Sequence, residues 1–348
     1  MGVKLVKPIN FRSVKSITAI KFQNTMQVLE VRSDFAVAVS GGPDSLALLF
    51  LSKQYAEDNN LNFIAIGIDH SLRTNSKDEI QWVKKFLKKK KIKFYSIKWE
   101  GKKPQSNIMA LAREKRYQLL TNHCKKLKIP YLLTAHHLDD EIENFLMRLI
   151  RGSGLKGLSS LKPRLKHKKT GVYIVRPLLE HPKKSLIKYL ATIKQAYIED
   201  PTNKDNRFDR TRIRILSSKL ITEGLNKSRF LNVISNLKKS ENAIISSIDF
   251  YLREIIINEN KNSIKINLRK FIEMPDEIQF RILVKIASLV GMKKQSLRAQ
   301  SVLNLINKIN KADFKQATFN KCLFKRSQGF VNVIPEKGRA FELLTKKS

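Results

Sequence analysis

The chain is 348 residues long and carries 68 Lys or Arg against 30 Asp or Glu, a formal net charge of +38 at pH 7. Its 42% hydrophobic and 8% aromatic content excludes a disordered basic tail, and its length suits two domains with a core each. No apolar run approaches the roughly 18 residues of a membrane span, and the basic N-terminus lacks the apolar stretch of a signal peptide. A cytoplasmic protein with no membrane role is therefore expected. Cys124 and Cys322 stand far apart, which excludes a disulfide scaffold and a Cys-x-x-Cys zinc site. A positive field of this size attracts polyanions, so nucleic acid is the expected class of partner.

The spacing allows an amphipathic helix within Phe11–Arg32. Phe35–Val39 (FAVAV) reads as a buried strand, followed at once by Ser40-Gly41-Gly42-Pro43-Asp44-Ser45 and an apolar helix from Leu46 to Tyr55. The alternation then continues: a strand at Phe63–Ile68, a helix at Ser76–Lys91, a strand at Lys93–Lys98 and a long helix at Asn107–Leu127. Tyr131–Thr134 is a further strand, leading into His136-His137-Leu138-Asp139-Asp140 and a helix to about Ile150. Strand and helix in this order imply right-handed crossovers and a parallel sheet covered on both faces, an α/β fold. A connecting region with a basic run at Lys162–Lys169 precedes a strand at Val172–Val175 and a helix over about Pro182–Gln195. From about Leu216 the pattern turns helical, through Phe230–Glu259 and Pro275–Asn310, and closes on a hairpin of Thr318–Phe324 with Phe330–Ile334 that turns at Gly329. The boundary between two domains falls near Leu216–Thr222.

Strand, Gly-rich turn and helix together make an anion site. Two glycines let backbone N–H groups approach an anion closely, and the helix N-terminus adds partial positive charge. The Walker A spacing and its lysine are absent. Asp44 is unusual in such a loop, because a carboxylate beside a polyphosphate needs a divalent cation between them. A second cluster follows a strand at residues 139–143, where four of five side chains are acidic. Asp44, Asp69 and Asp139 each follow a predicted strand, and ligand sites in open α/β sheets lie beyond the strand C-termini, so the three are expected to converge. Their hard oxygens suit Mg²⁺ bridging protein to phosphate. In Arg207–Arg214, if helical, Arg210 and Arg214 lie one turn apart, and a shared anion would offset their repulsion.

The string SGGPDS resembles that of the PP-loop ATP pyrophosphatases, which split ATP into AMP and pyrophosphate to activate a carbonyl. The further strings narrow the likeness: Asp69-His70-Ser71-Leu72-Arg73, Ala112-Arg113-Glu114-Lys115-Arg116-Tyr117, Thr134 to Asp140, Arg148 to Gly154, Arg176-Pro177-Leu178-Leu179 and Asp200-Pro201-Thr202-Asn203. In this order, over roughly residues 30–216, they resemble the bacterial tRNA(Ile)-lysidine synthases. Glu143-Asn144 and Arg210-Thr211-Arg212 depart from the Glu-Thr and Arg-Asn-Arg common there.

The resemblance implies an N-terminal extension (1–29), a PP-loop ATP-binding catalytic domain (30–216) and a mainly helical tRNA-binding domain (217–348) ending in the hairpin. It implies an ATP-dependent carbon–nitrogen ligase that forms AMP and pyrophosphate. Such an enzyme adenylates the wobble cytidine of isoleucine tRNA with a CAU anticodon and attaches free L-lysine, changing codon reading from AUG to AUA. Ser40, Gly41, Gly42, Pro43, Asp44 and Ser45 would hold ATP. Asp44, Asp139, Asp140 and Arg113 would be catalytic, with Asp44 and Asp139 positioning Mg²⁺. His136, Glu143, Arg151, Gly152, Ser153 and Gly154 would shape the cytidine and lysine pocket, together with Asp200, Asn203, Arg210 and Arg214. Two rivals share some of these features. A PP-loop tRNA thiolase needs a reactive cysteine pair or an iron–sulfur cluster, and a non-catalytic RNA-binding protein would not need an intact loop and acidic cluster.

Overall fold

The computed structural model describes residues 3–9, 11, 14–69, 76–99, 108–159, 161–199, 209–260, 263–291 and 297–336. Two compact units emerge, Met1–Ser235 and Asn236–Ser348.

The first unit opens with a short strand β1 (Leu5–Val6) and helix α1 (Ala19–Val28), which is shorter than the sequence spacing allowed because Thr18 caps it. Then come β2 (Phe35–Ala38), α2 (Pro43–Asp58), β3 (Phe63–Asp69), α3 (Ser76–Lys89), β4 (Phe94–Lys98), α4 (Ile108–Lys126), β5 (Tyr131–Leu133) and α5 (Leu138–Ile150). A single turn α6 (Leu155–Leu158), strands β6 (Arg164–Lys166) and β7 (Tyr173–Val175), helix α7 (Lys183–Thr192), strand β8 (Tyr197–Ile198) and helix α8 (Asp209–Thr222) complete the order, before the long α9 (Lys227–Ile255). Six strands form one sheet in the order β4-β3-β2-β5-β7-β6, parallel except for β6. The basic run at Lys162–Lys169, expected as part of a connection, supplies that antiparallel edge. A short, lysine-bearing edge strand discourages pairing with another chain.

The two-residue period of the central strands explains the layering. Ala36, Leu132 and Ile174 point to one face and pack with Leu120 and Cys124 of α4. Their neighbours Val37, Leu133 and Val175 point to the other face and pack with Leu46 and Leu49 of α2. Strands buried on both faces must be apolar throughout, which is why FAVAV and YLL carry no alternation. Helix α2 starts sharply because Gly42 is its N-cap and Pro43, which needs no hydrogen-bonded N–H, is its first residue.

The expected boundary near Leu216–Thr222 lies within α8, whereas the two units divide inside α9. Phe230 and Ile234 of α9 are buried with Leu138, Ile142 and Leu146 of α5, so this stretch packs as part of the first unit.

The second unit holds helices, as expected, and a five-stranded antiparallel sheet of which the sequence reading foresaw only the last strands. Strands β9 (Ile256–Asn260) and β10 (Ser263–Asn267) follow α9, then come α10 (Leu268–Ile272), α11 (Asp276–Val290), α12 (Ala299–Ile309), β11 (Gln316–Phe319), β12 (Cys322–Ser327) and β13 (Phe330–Pro335). The sheet order is β11-β12-β13-β10-β9. The helix expected to run to Glu259 stops at Ile255, because the β-branched residues that follow pair with β10. The segment Thr318–Phe324 is two strands rather than one: Asn320 and Lys321 have φ of 50° and 63°, making a tight turn, and a second turn at Gln328-Gly329 joins β12 to β13. Buried Ile264, Ile266, Phe324, Val331 and Val333 alternate with more exposed residues, so one sheet face packs on α11 and α12. Among the described residues no helix is long and apolar enough to cross a membrane.

Candidate active site

The Gly-rich turn closes β2 and is stitched by a serine pair. Ser45 Oγ donates to Gly42 O at 3.0 Å and accepts from Ser40 N at 3.2 Å. With its proton so used, Ser45 Oγ also accepts from the Ser40 hydroxyl, 3.2 Å away. Gly41 has φ of 86°, a left-handed conformation that glycine adopts without strain, and its carbonyl accepts from Ile198 N of β8 at 3.0 Å.

Three helix N-termini meet beside this turn. Asp44 lies in the first turn of α2, His137 is the N-cap of α5, and Lys183 is the first residue of α7. Asp44 Oδ2 is 3.6 Å from His137 Nε2 and 3.5 Å from Lys183 Nζ. Asp139 Oδ2 accepts from Lys183 N at 2.7 Å, capping α7, and lies 3.5 Å from His137 Nδ1. Asp140 Oδ2 accepts from His137 N at 3.0 Å and lies 3.6 Å from Nε2. Positive helix ends stabilise anionic groups, so acids and a bound phosphate are both favoured here.

These contacts set the protonation states. Burial opposes charge on Asp44 and on Asp139, but hydrogen bonding to His137, with Lys183 assisting, outweighs it and holds both carboxyls below their ordinary range. Burial likewise pushes His137 down, yet Asp139, Asp44 and Asp140 together raise it to about 10. A ring protonated on both nitrogens cannot accept the Asp140 amide. The 3.4 Å approach of Asp140 N to Nδ1 is therefore half of a capping box only in the neutral state.

His137 binds its proton more tightly folded than unfolded, so its contribution is complete below its ordinary pKa of about 6.5 and is lost as pH rises toward 10. Thermal midpoints of metal-free protein should fall across that window, and His137→Asn should flatten the fall. Equal slopes in the two proteins would remove the charge from His137.

A cavity of about 480 Å³ opens over the turn, with Ala38, Ile66 and Leu120 giving it an apolar lining. Its acidic side includes Asp44, Asp140 and Glu143, and its other wall holds Arg113, Arg116 and Tyr117. The Arg113 and Arg116 guanidiniums lie 5.5 and 5.6 Å from the Tyr117 ring centre. Burial would raise the Tyr117 hydroxyl, but Arg113, Arg176 and Arg116 bring it below its usual value. His136 reaches Arg113 Nη2 through Nε2 at 2.9 Å and Thr134 Oγ1 through Nδ1 at 3.0 Å. Burial and the three guanidiniums hold its pKa well below the ordinary histidine value, so this ring is neutral.

The expected site residues thus fall into groups. Ser40, Gly42, Asp44, Ser45, Arg113, His136, Asp140 and Glu143 line one cavity, and Gly41 and Pro43 complete its loop. Asp139 faces α7 and His137 instead. Asp69 ends β3 and is not among the lining residues. Arg151 caps α5 and is exposed with Gly152; Gly154 opens α6, and none of residues 151–154 lines the cavity. Arg214 Nε donates to the buried Glu143 at 2.6 Å, so a carboxylate stands where a phosphate was expected. Asp200, Asn203 and residues 70–73 lie outside the described residues, as does the side chain of Arg210. Lys183, Arg116 and Tyr117 were not singled out as site residues. Lys183 left no signal, being one lysine among many, whereas Arg116 and Tyr117 belong to Ala112–Tyr117, one of the strings that carry the resemblance.

A Mg²⁺ ion fits one position by its donor chemistry. Asp44 Oδ1 is buried with no hydrogen-bond partner, an orphaned acceptor that a cation would satisfy. Among the described residues, no three His, Cys, Asp or Glu side chains are grouped to hold a metal by themselves. A single carboxylate with an orphaned oxygen suits Mg²⁺, which takes one or two carboxylates and completes its shell with phosphate and water.

The PP-loop domain family matches residues 14–220. The tRNA(Ile)-lysidine synthase of Rickettsia typhi (strain ATCC VR-144 / Wilmington) is 34% identical over 316 residues, 88% of this chain and 70% of that protein. That of Wolbachia pipientis wMel is 32% identical over 311 residues, 88% of this chain and 72% of that protein. Among solved structures, the U34-tRNA thiolase NcsA from Methanococcus maripaludis, with its [4Fe-4S] cluster, aligns with a TM-score of 0.54. It covers 66% of this chain and 78% of its own at 21% identity, a likeness of fold.

Proposed function

This chain belongs to the tRNA(Ile)-lysidine synthase family of PP-loop proteins, and on that premise we propose that it ligates lysine to the wobble cytidine of isoleucine tRNA bearing a CAU anticodon. The observation that carries the reading is one cavity lined by the Gly-rich turn, by Asp44, whose Oδ1 is an orphaned acceptor, and by Arg113 and Arg116. In the first half-reaction the cytidine ring carbonyl oxygen attacks the α-phosphorus of ATP, and the bond to pyrophosphate breaks. In the second the lysine ε-amine attacks the activated ring carbon, and AMP leaves with the oxygen.

In this reading the amides of Gly41, Gly42, Asp44 and Ser45 and the N-terminus of α2 hold the phosphates. Mg²⁺, held by Asp44 with Asp139 or Asp140 near it, would neutralise charge on the departing pyrophosphate. Arg113 faces the same cavity and supports negative charge developing on phosphate oxygens. Residues 151–154, Asp200, Asn203, Arg210 and Arg214 remain candidates for the cytidine and lysine pocket. The basic C-terminal part supplies tRNA affinity, with residues 30–216 as the catalytic body. The test is incubation with ATP, radiolabelled lysine and the isoleucine tRNA. Label entering tRNA with one AMP formed per lysine supports the ligase, and absence of both AMP and label would leave only RNA binding.

The thiolase alternative meets a specific obstacle. Cys124 and Cys322 are both fully buried, in separate units, and burial pushes each thiol up to about 12, so neither is a thiolate at neutral pH. Cys124→Ser combined with Cys322→Ser should keep lysine transfer within about threefold of wild type, at some cost in stability from buried hydroxyls. Loss of turnover in a folded double variant would reinstate sulfur chemistry.

A further inference from the structure

We propose that Thr134 and His136 are a positioning pair for Arg113, holding its guanidinium in the cavity through a neutral acceptor so that its whole charge serves a nucleotide phosphate. The inference rests on the ATP-binding reading above and adds to it how the arginine is aimed.

The direction of every proton in the chain is set from its two ends. A guanidinium only donates, so His136 Nε2, 2.9 Å from Arg113 Nη2, must present a lone pair. A neutral imidazole has one N–H, which therefore sits on Nδ1 and donates to Thr134 Oγ1 at 3.0 Å. The Thr134 hydroxyl then turns its own proton toward Val175 O on β7, 3.5 Å away, a carbonyl that also accepts from Thr134 N at 2.9 Å. A carbonyl at one end only accepts and a guanidinium at the other only donates, so no other proton arrangement satisfies the run. Tyr117 closes the remaining side: its ring stacks on His136 at 6.4 Å and 16°, with its hydroxyl 3.4 Å from Nε2.

The choice of partner has a consequence for charge. A carboxylate would orient Arg113 equally well, but it would cancel the guanidinium's charge. An imidazole lone pair fixes the direction and leaves that charge uncancelled. Burial and the neighbouring Arg116 and Arg176 disfavour a second proton on the ring, which would turn acceptor into repellent. Thr134 and His136 are 5% exposed and partly buried respectively, so water competes little for these bonds.

Two readouts test the pair, and neither needs lysine or tRNA, so they fail or hold separately from the proposed ligase. In a long-range proton–nitrogen NMR spectrum of ¹⁵N-histidine protein, the signals lost in His136→Gln should report a neutral ring protonated on Nδ1. Protonation on Nε2, or on both nitrogens at neutral pH, overturns the proposal. In calorimetric titration with Mg-ATP, Thr134→Val, nearly the same shape, should weaken binding about tenfold, as should His136→Leu. His136→Gln, whose amide oxygen can accept from Arg113, should recover most of the affinity. Wild-type affinity in folded Thr134→Val and His136→Leu overturns the proposal. So does a Gln variant as weak as the Leu variant.

Discussion

Asp44→Asn is expected to reduce AMP formation from ATP by about a hundredfold or more while the protein stays folded. The carboxylate has two separate environments. Oδ2 is held near His137 and Lys183, whereas Oδ1 is buried without a partner. An amide of the same size keeps the shape of the turn but gives up the charge that a cation needs. The fold should tolerate the change because the neighbouring contacts survive it: Lys183 N keeps its bond to Asp139, and Arg214 keeps Glu143. His137 keeps Asp139 and Asp140 as partners, and α2 keeps its Gly42 cap and Pro43 start. The measurement is AMP released per enzyme, beside a thermal midpoint expected within a few degrees of wild type. AMP at the wild-type rate would remove Asp44 from the reaction, and an unfolded variant would make the residue structural.

What the sequence disclosed depended on the range of the interaction. The parallel sheet was legible because FAVAV, FIAIGI and YLL carry no charged residue, and local composition alone implies burial on both faces. The Gly-rich turn was legible because its chemistry lies within six consecutive residues. The acidic string 139–143 was legible as a cluster but not in its division of labour. Helix geometry puts Asp139 and Glu143 a turn apart, yet Asp139 caps α7 while Glu143 lines the cavity and pairs with Arg214. That outcome is set by where α7 and α8 pack, many residues later in the chain. The same holds for Lys183 and for β8, whose two residues form a strand only because β1 and the Gly41 carbonyl lie beside them. In the second unit, β9 and β10 were hidden because an isoleucine-rich extension of a helix carries the same local signal as a strand. Pairing between them decided the matter, and pairing is not a local property.

Gly41→Ala should cost the protein more ATP affinity than any other single methyl added to the turn. Two independent terms oppose it. At φ of 86° an L-residue with a Cβ is strained by roughly 1–2 kcal/mol, about a five- to thirtyfold effect if it is spent wholly on the loop. The added Cβ would also lie 2.5 Å from Ile198 Cδ1 and 3.0 Å from Val83 Cγ2. Ile198 is 4% exposed and its N–H is bonded to the Gly41 carbonyl, so it has little room to retreat. The turn must shift instead, and its amides then aim away from the phosphates. Gly42 differs, with φ of −72° and no atom closer to an added Cβ than Ser40 Oγ at 3.8 Å. Binding of Mg-ATP to Gly41→Ala should therefore fall well over tenfold. Removing the clash with Ile198→Ala in the same chain should restore part of that loss, because the backbone term remains. Wild-type affinity in Gly41→Ala would mean that the turn does not need its left-handed residue to hold phosphate. A double variant no better than the single one would assign the loss to backbone strain alone and take Ile198 out of the account.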